Sequence, residues 1–230
     1  MLPLKDLNRP FSTPHVNRML LIVNIVIFAV YWLSDLGIYF PPTVAERIGS
    51  DFIMYPSKVV HGQRLYTLVT SMFMHADWLH LLGNMLFLYI FGDNVEDIFG
   101  HIGYLAFYIF CGLAAAFTHI LSLCLGLTNG TIDFSTGVVG ASGAISGVLG
   151  AYLILFPKAR ILTWVAYFIL PIPAVIFLGV WFLMQWLYGL FEIGSKIAYW
   201  AHIGGFVAGM ILALAFGLKR KREKMARLLR

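Results

Sequence analysis

Apolar residues in this chain come in blocks rather than in stripes. Stretches at about 16–34, 78–92, 102–125, 141–156, 173–191 and 199–218 are almost free of charge. Blocks of about 20 apolar residues are what a helix needs to cross a hydrocarbon layer about 30 Å thick. Start signals precede them: Ser12, Thr13 and Pro14 before the first, and Asp77 as an N-cap before the second. The connection 35–76 holds Pro41, Pro42, Pro56 and several charges, yet also Phe40, Phe52, Ile53, Met54, Tyr55 and Phe73. So apolar a loop packs on the protein or the membrane interface. A loop rich in glycine and threonine spans 126–140. Residues 161–190 hold no charge, but one helix of that length measures about 45 Å, too long for the layer. Pro171 and Pro173 break the run, which predicts an interfacial segment over 161–171 and a fifth span over 173–191. The expected architecture is an all-α integral membrane protein: a six-transmembrane-helix bundle with a long, partly helical first outer loop. Its parts are a cytoplasmic segment 1–15, a membrane domain 16–218 and a basic cytoplasmic tail 219–230.

Composition supports the membrane class. Of 230 residues, 60% are hydrophobic and only 12% charged, about half the charged share of a soluble domain. The mean hydropathy is +0.83. The net charge of +5 does not point to nucleic acid, because the basic residues cluster at the ends in a membrane-anchoring pattern. With six spans, Lys5, Arg9, Arg18, Lys158, Arg160 and the seven basic residues from Lys219 onward fall on the side of the termini, 12 of the 16. Arg47, Lys58, Arg64 and Lys196 fall outside. That asymmetry places both termini in the cytoplasm. Cys111 and Cys124 lie in one apolar run, too far apart along a helix to bridge, and read as buried small apolar residues. No cleavable signal or transit peptide is expected, and a prokaryotic plasma membrane is the expected location.

Against this background a few polar residues stand out. His80 and Asn84 lie in WLHLLGN, Ser142 in GASG and His202 in WAHIGG. Each sits just inside the start of an apolar block, and ionisable or polar groups there read by default as functional. Spans two, four and six all enter from the outer face, so the four residues fall within roughly the same outer third of the bilayer. His80 and Asn84, at i and i+4, share a helix face. In span four Ser142, Gly143, Ser146, Gly147 and Gly150 cover one arc of about 140°. Span six offers Gly204, Gly205 and Gly209. Two such small-residue faces allow close backbone contact and bring Ser142 within reach of His202.

These residue types suit acyl transfer. Ser142 needs a base to become a nucleophile, and His202 can take its proton and return it to the leaving amine. No carboxylate lies near His202 in span six, which makes a Ser-His dyad rather than a triad. The Asn84 amide, a His80 ring N–H and the Ser142 main-chain N–H are available as oxyanion donors. Other readings stay open. His75, His80 and His202 are possible metal ligands, though without an H-E-x-x-H pattern or a completing carboxylate. His119 reads as a packing residue. Asp77 either caps span two or orients His80. An α/β-hydrolase is excluded, because Ala144 replaces the last glycine of G-x-S-x-G and strand–helix alternation is missing. A non-catalytic scaffold and a transporter or channel are the competing functions; the latter calls for repeats or paired intramembrane charges.

The ordered set of H-A-D-W-L-H-L-L-G-N (75–84), G-A-S-G-A-I-S-G (140–147) and A-H-I-G-G (201–205) resembles the rhomboid family of intramembrane serine proteases. R-L-Y-T-L-V-T-S-M-F-M-H (64–75) and the pair Glu96 and Gly100 extend the resemblance over about 60–218. It implies Ser142 as nucleophile, His202 as base, and His80, Asn84 and the Ser142 amide as the oxyanion hole. It implies no cofactor and no metal. The implied partners are the lipid bilayer and single-pass membrane proteins cut in or near their spans. It makes Arg64 an ordering residue of the first outer loop, and span five with loop 126–140, including Gly130 and Gly137, candidate gating elements. Two positions depart from the family pattern. Gln63 stands where tryptophan is common, and Ser146 where some members stack an aromatic ring on the base. His202 is then expected to be oriented by Trp200, Tyr199 or Tyr152.

Overall fold

The computed structural model describes residues 1–38, 41–128, 133–191 and 197–229. The chain opens with strand β1 (Leu2–Asp6) and helix α1 (His15–Asp35). The first connection carries α2 (Pro42–Phe52), α3 (Pro56–Val60) and α4 (Thr67–Thr70). Long helices α5 (Trp78–Phe99) and α6 (His101–Cys124) follow, joined only by Gly100. Then come α7 (Ser142–Leu155), a hairpin of β2 (Arg160–Val165) and β3 (Phe168–Pro173), and α8 (Ala174–Phe191). Helix α9 (Tyr199–Leu212) continues through a π-helical turn, Ala213–Gly217, into α10 (Leu218–Leu228).

Among the described residues, four helices are long and apolar enough to cross a membrane: α1, α6, α8 and the continuous α9–α10 rod. Helix α5 is long enough but carries His80, Asn84, Asp93, Asn94, Glu96 and Asp97. Helix α7 is apolar but has only 14 residues, about 21 Å against a layer of about 30 Å. It packs at the centre against α5, α6 and α9, and every residue from Ala144 to Tyr152 is buried. Ser142 is the first residue of this short central helix.

The chain is not all helical. Strands β1, β2 and β3 form one antiparallel sheet in that order, and the expected interfacial segment 161–171 is this hairpin. Its physical basis is a period of two. Ile161 and Thr163 are fully buried while Arg160 and Trp164 point outward. Ala166 takes a positive φ of 51° in the two-residue turn, and Pro171 and Pro173 fit the sheet edge, where no ladder N–H is required.

Two further expectations change. Helix α5 runs to Phe99 instead of ending near residue 92, because its polar end is satisfied by the N-terminal segment. Glu96, 1% exposed, accepts the N–H groups of Val16 (3.0 Å) and Asn17 (2.7 Å) and pairs with His101 Nδ1 (2.5 Å), which places a carboxylate at the positive end of α1. Asp97 accepts from Ser12 N–H (2.7 Å) and pairs with Lys224 Nζ (2.6 Å). Asn94 donates to Asp6 Oδ2 (2.7 Å) and accepts from Asn8 Nδ2 (2.6 Å). The stretch 219–229 is likewise a docked helix and not a loose tail. Arg220 donates to the Phe99 carbonyl (2.5 Å), Lys224 to that of Asp97 (2.8 Å) and Lys221 to that of Leu155. These cations cap the C-terminal carbonyls of α5 and α7.

Cys111 is buried, but Cys124, the last residue of α6, is exposed. In the first connection Arg64 pairs with Asp51 (2.9 Å) and donates to the Ser50 carbonyl (3.3 Å), tying α2 to the segment before α4. A bridge between Met54 and Val138 joins that connection to the strand of chain leading into α7.

Candidate active site

Helices α7 and α9 meet backbone to backbone. A methyl group at Gly205 would overlap the Gly143 carbonyl oxygen, and one at Gly209 would overlap that of Gly147. Gly150 lies in the same way against the Phe206 carbonyl. Only glycine permits this approach. Its consequence is one hydrogen bond: the Ser142 Oγ stands 2.8 Å from His202 Nε2. Both side chains are partly exposed, while Ala141 and Ala144 beside the serine and Ala201 and Gly205 beside the histidine are buried.

The base is held from the other side by a residue that the sequence reading missed. Gln185 of α8 places its Oε1 2.8 Å from His202 Nδ1. One turn earlier on the same face, Trp181 sets its ring 6.2 Å from the imidazole. The aromatic residues expected to orient His202 do not hydrogen-bond its ring. Tyr199 presents an edge at 6.3 Å. Trp200 lies beside Gly189, and Tyr152 packs on Phe91 and Phe156 lower in the bundle. Ser146 donates its hydroxyl to the Ser142 carbonyl (2.7 Å) and does not engage the base. Gln185 did carry a signal: it is an amide inside an otherwise apolar block.

His80 and Asn84 come to the same place through Gly140. This glycine has φ +122° and donates its N–H to the Ser71 carbonyl (2.9 Å). A methyl there would meet His80 Nε2 at 2.6 Å and Asn84 Nδ2 at 3.6 Å. Both side chains therefore lie against the backbone two residues before Ser142. Asn84 Nδ2 is buried and makes no hydrogen bond among the described residues. The amides of Ser142, Gly143 and Ala144 precede the first main-chain bond of α7, from Ile145 N–H to the Ala141 carbonyl (2.9 Å), and among the described residues they have no main-chain acceptor at the positive end of that helix.

Asp77 is a cap: its Oδ1 accepts from the His80 main-chain N–H (2.8 Å). His75 and His80 rings meet edge to face at 5.2 Å, while both nitrogens of His202 are engaged by Ser142 and Gln185. That leaves His202 no lone pair for a metal shared with the other two, and no group of three metal-ligating side chains occurs among the described residues. Burial, then the neighbouring His80, pulls the His75 imidazole down to about 4, so it is neutral at physiological pH. His119 is buried in α6 with no ring hydrogen bond among the described residues. Gly137 packs against Ile53 and Tyr55; Gly130 lies outside the described residues.

The model of the Rhomboid domain family matches residues 62–219. Among similar proteins, RHOMBOID-like protein 12, mitochondrial, of Arabidopsis thaliana is 30% identical over 166 residues, covering 69% of this chain and 47% of that protein. RHOMBOID-like protein 7 of Arabidopsis thaliana is 32% identical over 67% of this chain and 44% of its own length. Rhomboid protein 1, mitochondrial, of Saccharomyces cerevisiae is 26% identical over 70% of this chain and 45% of its own length. The chain spans about half the length of these relatives.

Proposed function

The chain belongs to the rhomboid family of membrane proteins, and on that footing we propose that it is an intramembrane serine endopeptidase that hydrolyses peptide bonds in or near transmembrane segments through a Ser142–His202 dyad. The observation that carries this reading is the 2.8 Å bond between the Ser142 hydroxyl and His202 Nε2, made inside a bundle of apolar helices. Nε2 takes the hydroxyl proton as Oγ attacks the scissile carbonyl carbon. The developing oxyanion is met by Asn84 Nδ2, a His80 ring N–H and the Ser142 amide, donors of a kind worth about 10²–10³ in turnover each. The imidazolium then protonates the leaving nitrogen as the C–N bond breaks. Water, activated by the same imidazole, hydrolyses the acyl-enzyme.

The reading includes six spans, α1 and α5 to α9, with both termini cytoplasmic. The short α7 is shielded by its neighbours, and the basic residues of α10 dock on the side where the chain starts. It takes single-pass membrane proteins as substrates, because a nucleophile enclosed by apolar helices is reached by a segment moving within the bilayer. Helix α8 and loop 126–140 are the gating elements in this reading. A crosslink between α8 and α5 that left cleavage of a membrane substrate unchanged would remove that part of it. The expected location is a prokaryotic plasma membrane; the mitochondrial names of two relatives make cell fractionation the relevant check.

The test is cleavage of a single-span substrate in detergent. Ser142→Ala and His202→Ala abolish it, and a chelator leaves it unchanged. Retained cleavage in Ser142→Ala, or loss on chelation, refutes the assignment.

A further inference from the structure

We propose that Gln185 is the positioning residue that fixes the tautomer of His202, an uncharged stand-in for the carboxylate of a catalytic triad. The proposal rests on the Ser142–His202 reading and adds to it. A neutral imidazole carries one proton, and its two nitrogens then have opposite roles. Only a bare Nε2 can take the proton of Ser142. The Gln185 carbonyl oxygen is an acceptor and nothing else. At 2.8 Å from Nδ1 it requires the proton on Nδ1 and leaves the Nε2 lone pair facing the hydroxyl 2.8 Å away. The same oxygen keeps its bond when Nδ1 and Nε2 both carry protons, so it also favours the imidazolium formed during attack.

The setting explains why an amide serves here. Gln185 is 9% exposed, on a helix whose sequence AVIFLGVWFLMQWLYGLF holds no charge. An ionised carboxylate in that place would be costly to desolvate, whereas an amide needs only its hydrogen bonds. Trp181, one turn away on the same face, closes the imidazole off on that side. Where the orienting group of a serine-protease histidine enforces the wrong tautomer, turnover falls by about 10⁴. Removing the acceptor altogether releases the preference rather than reversing it, so a smaller loss is expected.

The test uses the full chain in detergent. Gln185→Met keeps volume and removes the acceptor. It is expected to lower kcat about 10- to 100-fold, with KM and the melting temperature unchanged and with an equal slowing of Ser142 labelling by a fluorophosphonate. ¹⁵N spectra of labelled histidine show His202 as the Nδ1–H form in the native chain and as a mixture in Gln185→Met. Native-rate labelling by Gln185→Met, or a loss that follows KM or melting instead of kcat, overturns the proposal. A merely adhesive amide between α8 and α9 gives that second pattern. If Gln185→Met does not fold, the native spectrum decides alone: an Nε2–H form overturns the proposal. Ser142→Ala separates the two levels. Cleavage by Ser142→Ala sinks the protease reading itself, while a dead Ser142→Ala beside an unaffected Gln185→Met sinks only the role of Gln185.

Discussion

Helix α5 passes two buried polar clusters, one near each end, and they are built in opposite ways. At its C-terminal end Glu96, Asp97 and Asn94 are tied to Val16, Asn17, Ser12, Asp6, Asn8, His101 and Lys224. Each acid there has several donors. At its N-terminal end Asn84 Nδ2 and both nitrogens of His75 are buried without a hydrogen bond among the described residues, and the amides at the start of α7 precede its first bond. A saturated cluster is a fastening, since buried polar groups stabilise only when all are paired. An unsaturated one costs stability and is retained where another molecule supplies the missing partner. Polarity inside the bundle therefore does not by itself mark a site; spare donors do.

That contrast breaks if substitutions at the two ends act alike. Asn84→Ala is expected to lower kcat by about 10²–10³, equivalent to about 3–4 kcal/mol in the transition state. Its melting temperature stays the same or rises, because the lost Nδ2 bonded nothing among the described residues. Steady-state cleavage and a thermal melt in one detergent check both halves. Glu96→Ala should do the reverse. It strips charge-assisted bonds from two main-chain N–H groups at the start of α1, a loss of about 3 kcal/mol in unfolding free energy, while the folded fraction keeps its specific activity. Titrating Ser142 with a fluorophosphonate gives the count of folded, competent sites. The smallest effect belongs to Lys224→Met. Lys224 is about a quarter exposed and Asp97 retains Ser12 as a donor, so about 1 kcal/mol is expected, read as a modest fall in melting point with unchanged kcat.

The helices were legible because long apolar blocks with caps leave few choices. The Ser142–His202 contact was legible for a different reason: two helices with glycine faces, entering from one side, have one close way to meet. Neither argument reached the hairpin. Residues 160–173 are apolar on both faces of the strands, as Trp164, Phe168, Ile169 and Leu170 are exposed beside the buried Ile161. The alternation that betrays a strand is thus faint in the hydrophobicity pattern. The end of α5 was misplaced because Asp93 to Asp97 look like a loop until their partners, some 80 residues earlier in the chain, are known. Gln185 was within reach of the rule that singled out His80 and Asn84. It escaped because it sits mid-block, away from the helix starts where the other polar residues gather.

The π-helical turn at Ala213–Gly217 divides a rod about 45 Å long whose two halves face different tasks. The upper half must hold the His202 imidazole toward Ser142; the lower half must aim Lys221 and Lys224 at the ends of α7 and α5. A wide turn of this kind takes up one residue more than the regular spiral. Because the wide turn absorbs that residue, deleting one residue there returns a regular spiral with both halves still in phase, whereas the same deletion elsewhere in the rod would swing one half about 100° relative to the other, so that either the imidazole or the lysines would miss. The bulge is in effect the slack in the rod, and a one-residue deletion within it should harm activity less than the same deletion a turn or two to either side.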